Sequence, residues 1–218
     1  MIYLSWAALF EGETDRQYFE TLIPRVVEEL ILIHGTIKSE VPAAPAIPIS
    51  RGDAKKVARQ ACAAKEAFQI FFVHADTGGR ALEAEMAGRS CEICDEMQRQ
   101  CAWPLARCVV IAPRKETEAW ILADGVAVTS ALGYTGLPAT AGLPADAIEA
   151  EALVDPKAVL SAAVKQIRGR RRPPAVNHVF PAIAQRQSLD ALRRSRSFRD
   201  FESDLHVALA DLRCVTHP

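Results

Sequence analysis

Three short apolar runs decide what this chain can fold into. Residues 2–10 read IYLSWAALF, residues 68–74 FQIFFVH and residues 106–112 ARCVVIA. Each falls far short of the ~18 residues of a membrane span. Each is also too continuous for a strand with one wet face, which would alternate. Strands buried on both faces of a parallel sheet carry this pattern. The segments between the runs carry helical marks. After Glu11-Gly12, Thr14 is placed to cap a helix, with Asp15 in its first turn favouring the N-terminal dipole. That helix runs through Tyr18, Phe19, Leu22 and Ile23; Pro24 either kinks it or starts a second one through Val26, Val27, Leu30, Ile31 and Ile33. The Pro-rich stretch 41–50 reads as a loop or an edge strand, since Pro cannot donate to a ladder. Asp53 caps a helix over 54–67, a long helix is expected over 81–102, and another over 115–124.

This alternation of strand and helix predicts an α/β domain with a mainly parallel sheet flanked by helices. Right-handed crossovers bring all strand C-termini to one edge, where open α/β sheets place their sites. Past Asp124 the composition changes. Residues 125–144 read as an irregular connection, 156–167 as a short helix, 168–174 as a basic loop, and two further helices are expected around Ile183 to Leu189 and over 198–212. The chain therefore divides near residue 125 into an α/β core (1–125) and a mainly helical C-terminal extension (126–218) packed on it. At 218 residues, 50% hydrophobic and 24% charged, it is an ordinary globular chain and not a disordered or coiled-coil one. The N-terminus lacks a basic leader region and meets acids at Glu11 and Glu13, so a signal peptide is not expected. No membrane segment is expected either. The six cysteines are expected as reduced thiols, and the location as cytoplasmic. Cys91, Cys94 and Cys101 fall on one helix and Cys108 inside a strand, which is not the turn geometry of a zinc knuckle.

The acids that follow the three runs are the informative feature: Glu11, then Asp76, then Glu116 with Glu118. Carboxylates gathered at neighbouring strand ends repel one another unless a cation sits between them. Asp76, Glu116 and Glu118 are the expected ligands of Mg²⁺ or Mn²⁺, with His74 as a further donor suited to Mn²⁺. Glu11 is either another ligand or a general base for an attacking water. The net charge of −1 excludes a strongly basic nucleic-acid coating protein. Locally the balance differs: from Lys165 to Arg199 ten cations stand against one acid, or +9. Arg168, Arg170, Arg171 and Arg172, with Lys115 beside the acids, are candidate nucleic-acid contacts. The alternative is that the basic runs salt-bridge the acidic core.

The segment FEGETDRQYF (10–19) resembles the first motif of Toprim domains, and FFVHADTGGR (71–80) their second, an Asp-x-Asp at a strand end. PRKETEAWILAD (113–124), together with SFRDFESDL (197–205), resembles a bacterial Toprim-like family of unknown function related to the Toprim domains of OLD-type nucleases and often encoded beside ATPases in defence loci. The resemblance implies a Toprim-like, Rossmann-like fold and a metal-dependent nuclease or phosphodiesterase. It makes Glu11 the general acid/base and Asp76 and Glu118, with Glu116, the metal-binding residues. It also implies an ATPase partner, since the chain has no Walker A pattern, and a role against phage or plasmids. The sequence departs from the Asp-x-Asp pattern: His74 stands two residues before Asp76 and Gly78 two after, so one carboxylate is missing. That departure keeps open a non-catalytic interaction subunit that binds a partner ATPase or nucleic acid. A small-molecule phosphohydrolase with a closed pocket is the third reading.

Overall fold

The computed structural model describes residues 1–41, 47–76, 83–169 and 179–217, with backbone alone for 83–90. In chain order, β1 (Ile2–Tyr3) and β2 (Trp6–Leu9) precede α1 (Glu13–His34). Next come β3 (Ser39–Glu40), β4 (Ile47–Pro48), α2 (Ala54–Ala63), β5 (Ile70–His74), α3 (Glu83–Cys101), β6 (Cys108–Ile111) and α4 (Thr117–Leu122). Among the described residues the helices that follow are α5 (Gly125–Ala131), α6 (Ala147–Ala152), α7 (Pro156–Arg168), α8 (Phe180–Arg186), α9 (Leu189–Leu192) and α10 (Arg196–Asp211).

Four strands form a wholly parallel sheet in the order β4-β2-β5-β6, with Leu9 opposite Val73 and His74 opposite Ile111. The continuous apolar runs are explained by the two faces of this sheet, because successive side chains alternate. Trp6, Ala8, Ile70 and Phe72 enter the larger core under α1 and the C-terminal helices. Ala7, Leu9, Phe71 and Val73 enter a smaller core under α2 and α3. The chain leaves β2 for β4 on one side and returns to β5 on the other. The sheet order therefore reverses between β2 and β5, which is where open α/β sheets form a binding crevice.

Several local expectations change. The run over residues 2–10 is two strands, not one: β1 pairs with β3 in a separate parallel ladder, and the chain steps across at Leu4-Ser5. The step is fixed by side chains, with the Ser5 N–H donating to Gln69 Oε1 at 2.6 Å and Ser5 Oγ to the Ala67 carbonyl at 2.9 Å. Gly12, not Thr14, is the N-cap of α1, and the helix continues through Pro24, which forfeits one helical hydrogen bond there. Residues 125–144 are not irregular throughout. Asp124 accepts from the Ala127 N–H at 3.0 Å and starts α5, whose Ala127 and Val128 are buried. The helix expected from residue 115 begins at Thr117, because Lys115 holds φ at +71°.

The larger core crosses residue 125 without a break: Tyr18, Phe19 and Trp120 share it with Phe180, Phe198, Phe201 and Leu205. Through it runs a buried polar chain. Tyr18 Oη donates to Gln187 Oε1 at 2.6 Å, and Gln187 Nε2 donates to the Trp120 carbonyl at 2.7 Å. Burial raises the Tyr18 hydroxyl far above its ordinary pKa, so it stays a donor.

The reading of six reduced thiols does not hold. Packing of α2, α3 and β6 around the smaller core joins Cys62 to Cys101 and Cys94 to Cys108, each pair with Cα atoms 5.9 Å apart. Cys91 and Cys214 are free.

Candidate functional site

The site lies at the C-terminal ends of β2 and β5, in the crevice where the sheet order reverses. β2 delivers Phe10 and Glu11, and α1 starts immediately after Gly12. Asp15 is the third residue of that helix, and helical side chains lean back toward the N-terminus. Its carboxylate therefore folds over Gly12, where an added Cβ would lie 2.7 Å from Asp15 Oδ2. Glycine at that position is what lets a buried Asp15, 8% exposed, turn toward β5.

β5 ends on His74, 2% exposed. The Ala75 N–H donates to the Ile111 carbonyl at 3.0 Å, which extends the ladder and presents Asp76 above the edge. His74 Nδ1 accepts from the Glu11 N–H at 3.4 Å. His74 Nε2 lies 3.3 Å from Asp76 Oδ1 and 3.2 Å from Thr117 Oγ1. A backbone donor at Nδ1 assigns the imidazole proton to Nε2, so the ring donates toward Asp76. His74 thus holds Asp76 in place, and offers Nε2 to a cation only by giving up that proton. The Thr117 N–H, at the start of α4, also donates to Asp76 Oδ1, at 3.1 Å. One ligand atom each from Asp15, His74 and Asp76 lies within 4.8 Å of the other two.

The turn after β6 brings the remaining acids. Glu116 is the N-cap residue of α4, and its Oε2 is buried without a hydrogen-bond partner among the described residues. Glu118 sits in the first turn of α4. Its carboxyl is pushed up to about 7, first by burial and further by the negative charges of Glu116 and Asp76; a backbone N–H and the ammonium of Lys157 oppose the rise. That pattern places Glu118, Glu116 and Asp76 within electrostatic reach of one another. Glu11 lines two adjoining pockets of about 130 and 230 Å³, both of which Arg51 also lines. Arg51 Nε reaches the Phe10 carbonyl at 3.5 Å. The edge is therefore a carboxylate-rich crevice with Arg51 and Lys157 as its nearby cations, suited to a divalent cation and to an anion bound through it.

Of the residues expected from sequence, His74 and Asp76 come together here, with Glu11 adjoining through its backbone; Glu116 and Asp76 are linked to Glu118 through their electrostatic effect on its carboxyl. Lys115 turns its Nζ onto the Leu153 carbonyl at the end of α6. Arg168 closes α7 with its Nε buried and without a hydrogen-bond partner among the described residues. Arg170, Arg171 and Arg172 lie outside the described residues, as does Gly78. The second basic run is engaged in part, since Arg194 and Arg196 keep most of their side chains exposed. Arg193 pairs with Glu29, Asp190 and Glu202, which raises its pKa further, while Arg194 lies 3.8 Å from Asp146 and Arg196 3.9 Å from Asp200. Asp15, Thr117, Lys157 and Arg51 belong to the site and were not anticipated. For Asp15 a signal existed: a glycine three residues before an acid at a helix start, which reads equally as simple dipole stabilisation.

Compared with known proteins, the chain matches no family model, and no curated protein or solved structure is significantly similar to it. Among the described residues, no helix is long and apolar enough to cross a membrane.

Proposed function

We propose that this chain is a divalent-cation-dependent phosphodiesterase of Toprim-like type, acting on nucleic acid. The observation that carries the reading is the convergence of buried Asp15 with His74 and Asp76 at the sheet's switch point, with ligand atoms within 4.8 Å of one another, beside Glu118. Carboxylates this close are costly without a cation, and oxygen donors of this kind suit Mg²⁺ or Mn²⁺. Asp15 and Asp76, with Glu116 and Glu118, would hold the cation, which would neutralise charge on a phosphodiester. Glu116 Oε2, buried and unbonded among the described residues, is a ready oxygen donor. His74 and the Thr117 N–H fix the orientation of Asp76. Glu11, at the mouth of the crevice, takes a proton from the attacking water. Glu118, whose carboxyl is pushed up to about 7, would give up its proton on joining the cation. Arg51 and Lys157 orient the phosphates.

Resemblance alone supports an ATPase partner, a role in bacterial defence and the cytoplasmic location such a role would require. The missing second carboxylate of the Asp-x-Asp pattern favours a second reading, a non-catalytic subunit that binds a partner through the same edge. Cleavage of labelled single- and double-stranded DNA and RNA in Mn²⁺ separates the two. The enzyme reading expects metal-dependent product that Glu11→Gln and Asp76→Asn each abolish. Product that survives both substitutions, or none from a chain that binds Mn²⁺ and nucleic acid together, contradicts it.

A further inference from the structure

Where α3 packs on β6, three sulfurs share one opening. The Cys94–Cys108 disulfide joins α3 to β6, and Cys91 is a free, exposed thiol one helical turn before Cys94. Residues three apart on a helix lie on the same face. All three cysteines line a surface pocket of about 300 Å³, walled otherwise by Leu105, Ala106, Val110 and Val207 and by the carboxylates of Asp95 and Asp204, whose charge disfavours the Cys91 thiolate and is why thiol chemistry here is followed at alkaline pH. Cys101, in contrast, is used in a separate bond to Cys62. The Cys-x-x-Cys spacing at 91–94 is thus neither a zinc knuckle nor a simple structural bridge. It is a thiol set beside a disulfide that reaches the surface.

We propose that Cys91, Cys94 and Cys108 form a thiol–disulfide exchange site. The Cys91 thiol loses its proton to solvent, and the thiolate attacks Cys94 Sγ. A Cys91–Cys94 bond forms as the Cys94–Cys108 bond breaks, the electron pair leaves on Cys108 Sγ, and that thiolate takes up a proton. One disulfide and one thiol stand on each side of the step, so no external oxidant or reductant is needed. The two states differ mechanically. In the first, α3 is tethered to β6; in the second, the bridge closes within one turn of α3 and Cys108 becomes a free thiol in the pocket. β6 runs directly into the turn that carries Glu116 and Glu118, so the exchange loosens one support of that turn. The chemistry itself is independent of the proposed metal site.

Sequence makes the two states separable. Cleavage after arginine yields one peptide, 90–99, that holds both Cys91 and Cys94, and another, 108–114, that holds Cys108. The full chain, purified without reductant, is held at pH 8.5, acid-quenched, treated with N-ethylmaleimide, digested and analysed by mass spectrometry. The expected result is two populations. In one, peptide 90–99 carries a single maleimide and is linked to 108–114. In the other, peptide 90–99 is closed on itself with no maleimide, and 108–114 is alkylated. Their ratio should not change on dilution. Cys91→Ser should remove the second population and slow release of the Cys108 thiol by millimolar glutathione by roughly tenfold or more, the advantage of a thiol held in place. Cys108→Ser provides the check on reach, since mild oxidation should then close Cys91 on Cys94. A chain that shows only the 94–108 link at pH 8.5, or no 94–108 link at all, overturns the proposal. So does a Cys108→Ser chain that leaves Cys91 and Cys94 open.

Discussion

Replacing Glu118 with Gln should make the chain more stable at alkaline pH while damaging its site, and the size of the effect follows from the acidic crevice. The folded protein holds a proton on Glu118 up to about pH 7, against an ordinary value of 4.5. Between those two values the folded state binds more protons than the unfolded one. The contribution of Glu118 to stability therefore falls as pH rises from about 4.5 to 7, and is flat on either side. The raised pKa corresponds to roughly 3 kcal/mol at 1.36 kcal/mol per unit. Glu118 is partly open to water, and screening reduces this to about 2 kcal/mol. Gln carries no charge and escapes the penalty. Urea unfolding at pH 5 and pH 8 measures it. Wild type and Glu118→Gln should be within error of each other at pH 5. At pH 8 the variant's midpoint should lie roughly 1 M higher, given a denaturant slope of about 2 kcal/mol per M. Saturating Mn²⁺ at pH 8 should close most of that gap by stabilising wild type, and EDTA should restore it. Parallel stability profiles for the two proteins would refute the reasoning, because Glu118 would then titrate as an ordinary surface carboxylate.

Two other substitutions test how the sequence builds the fold and site. Gly12→Ala would drive a Cβ into Asp15 Oδ2; calorimetry should show Mn²⁺ affinity reduced by about tenfold, with thermal stability lowered by only about 1–2 kcal/mol. Glu151 accepts from Ser195 Oγ and Ser197 Oγ at 2.6 Å each and from the Arg196 and Ser197 N–H groups at 3.2 Å each, at the start of α10. Burial alone would raise its pKa, but these bonds to the ionised form outweigh burial and leave it below the ordinary carboxylate value. Glu151→Ala should cost about 2–4 kcal/mol by denaturant unfolding at pH 7. The wild-type advantage should be full above about pH 4.5 and vanish as pH falls through the lowered pKa.

Much of the frame was legible because burial on two faces leaves a plain mark. The runs 2–10, 68–74 and 106–112 suit strands with both faces covered, and parallel strands joined by right-handed crossovers gather the acids beyond them at one edge. What stayed hidden depends on geometry that no spacing encodes. Asp15 looks like a helix-dipole acid until its side chain is seen to fold over Gly12. Thr117 enters through its backbone N–H, which carries no residue signature. The split at Leu4-Ser5 rests on Gln69, a contact sixty-four residues away in the chain. The paired cysteines come from α2, α3 and β6, whose juxtaposition is tertiary. The second basic run looked available for a phosphate backbone, yet Arg193 is held by Glu29 of α1, Asp190 of α9 and Glu202 of α10.

The central claim is that Asp15 and Asp76, at the reversal point of the sheet, hold a divalent cation. Mn²⁺ binding followed by electron paramagnetic resonance at pH 8 tests it most directly, on wild type, Asp15→Asn and Asp76→Asn. One specific site is expected in the wild type, weakened at least about tenfold by either substitution, with both variants folded. Binding that persists unchanged in Asp15→Asn and Asp76→Asn, or a folded wild type that binds no Mn²⁺ at millimolar concentration, would contradict it.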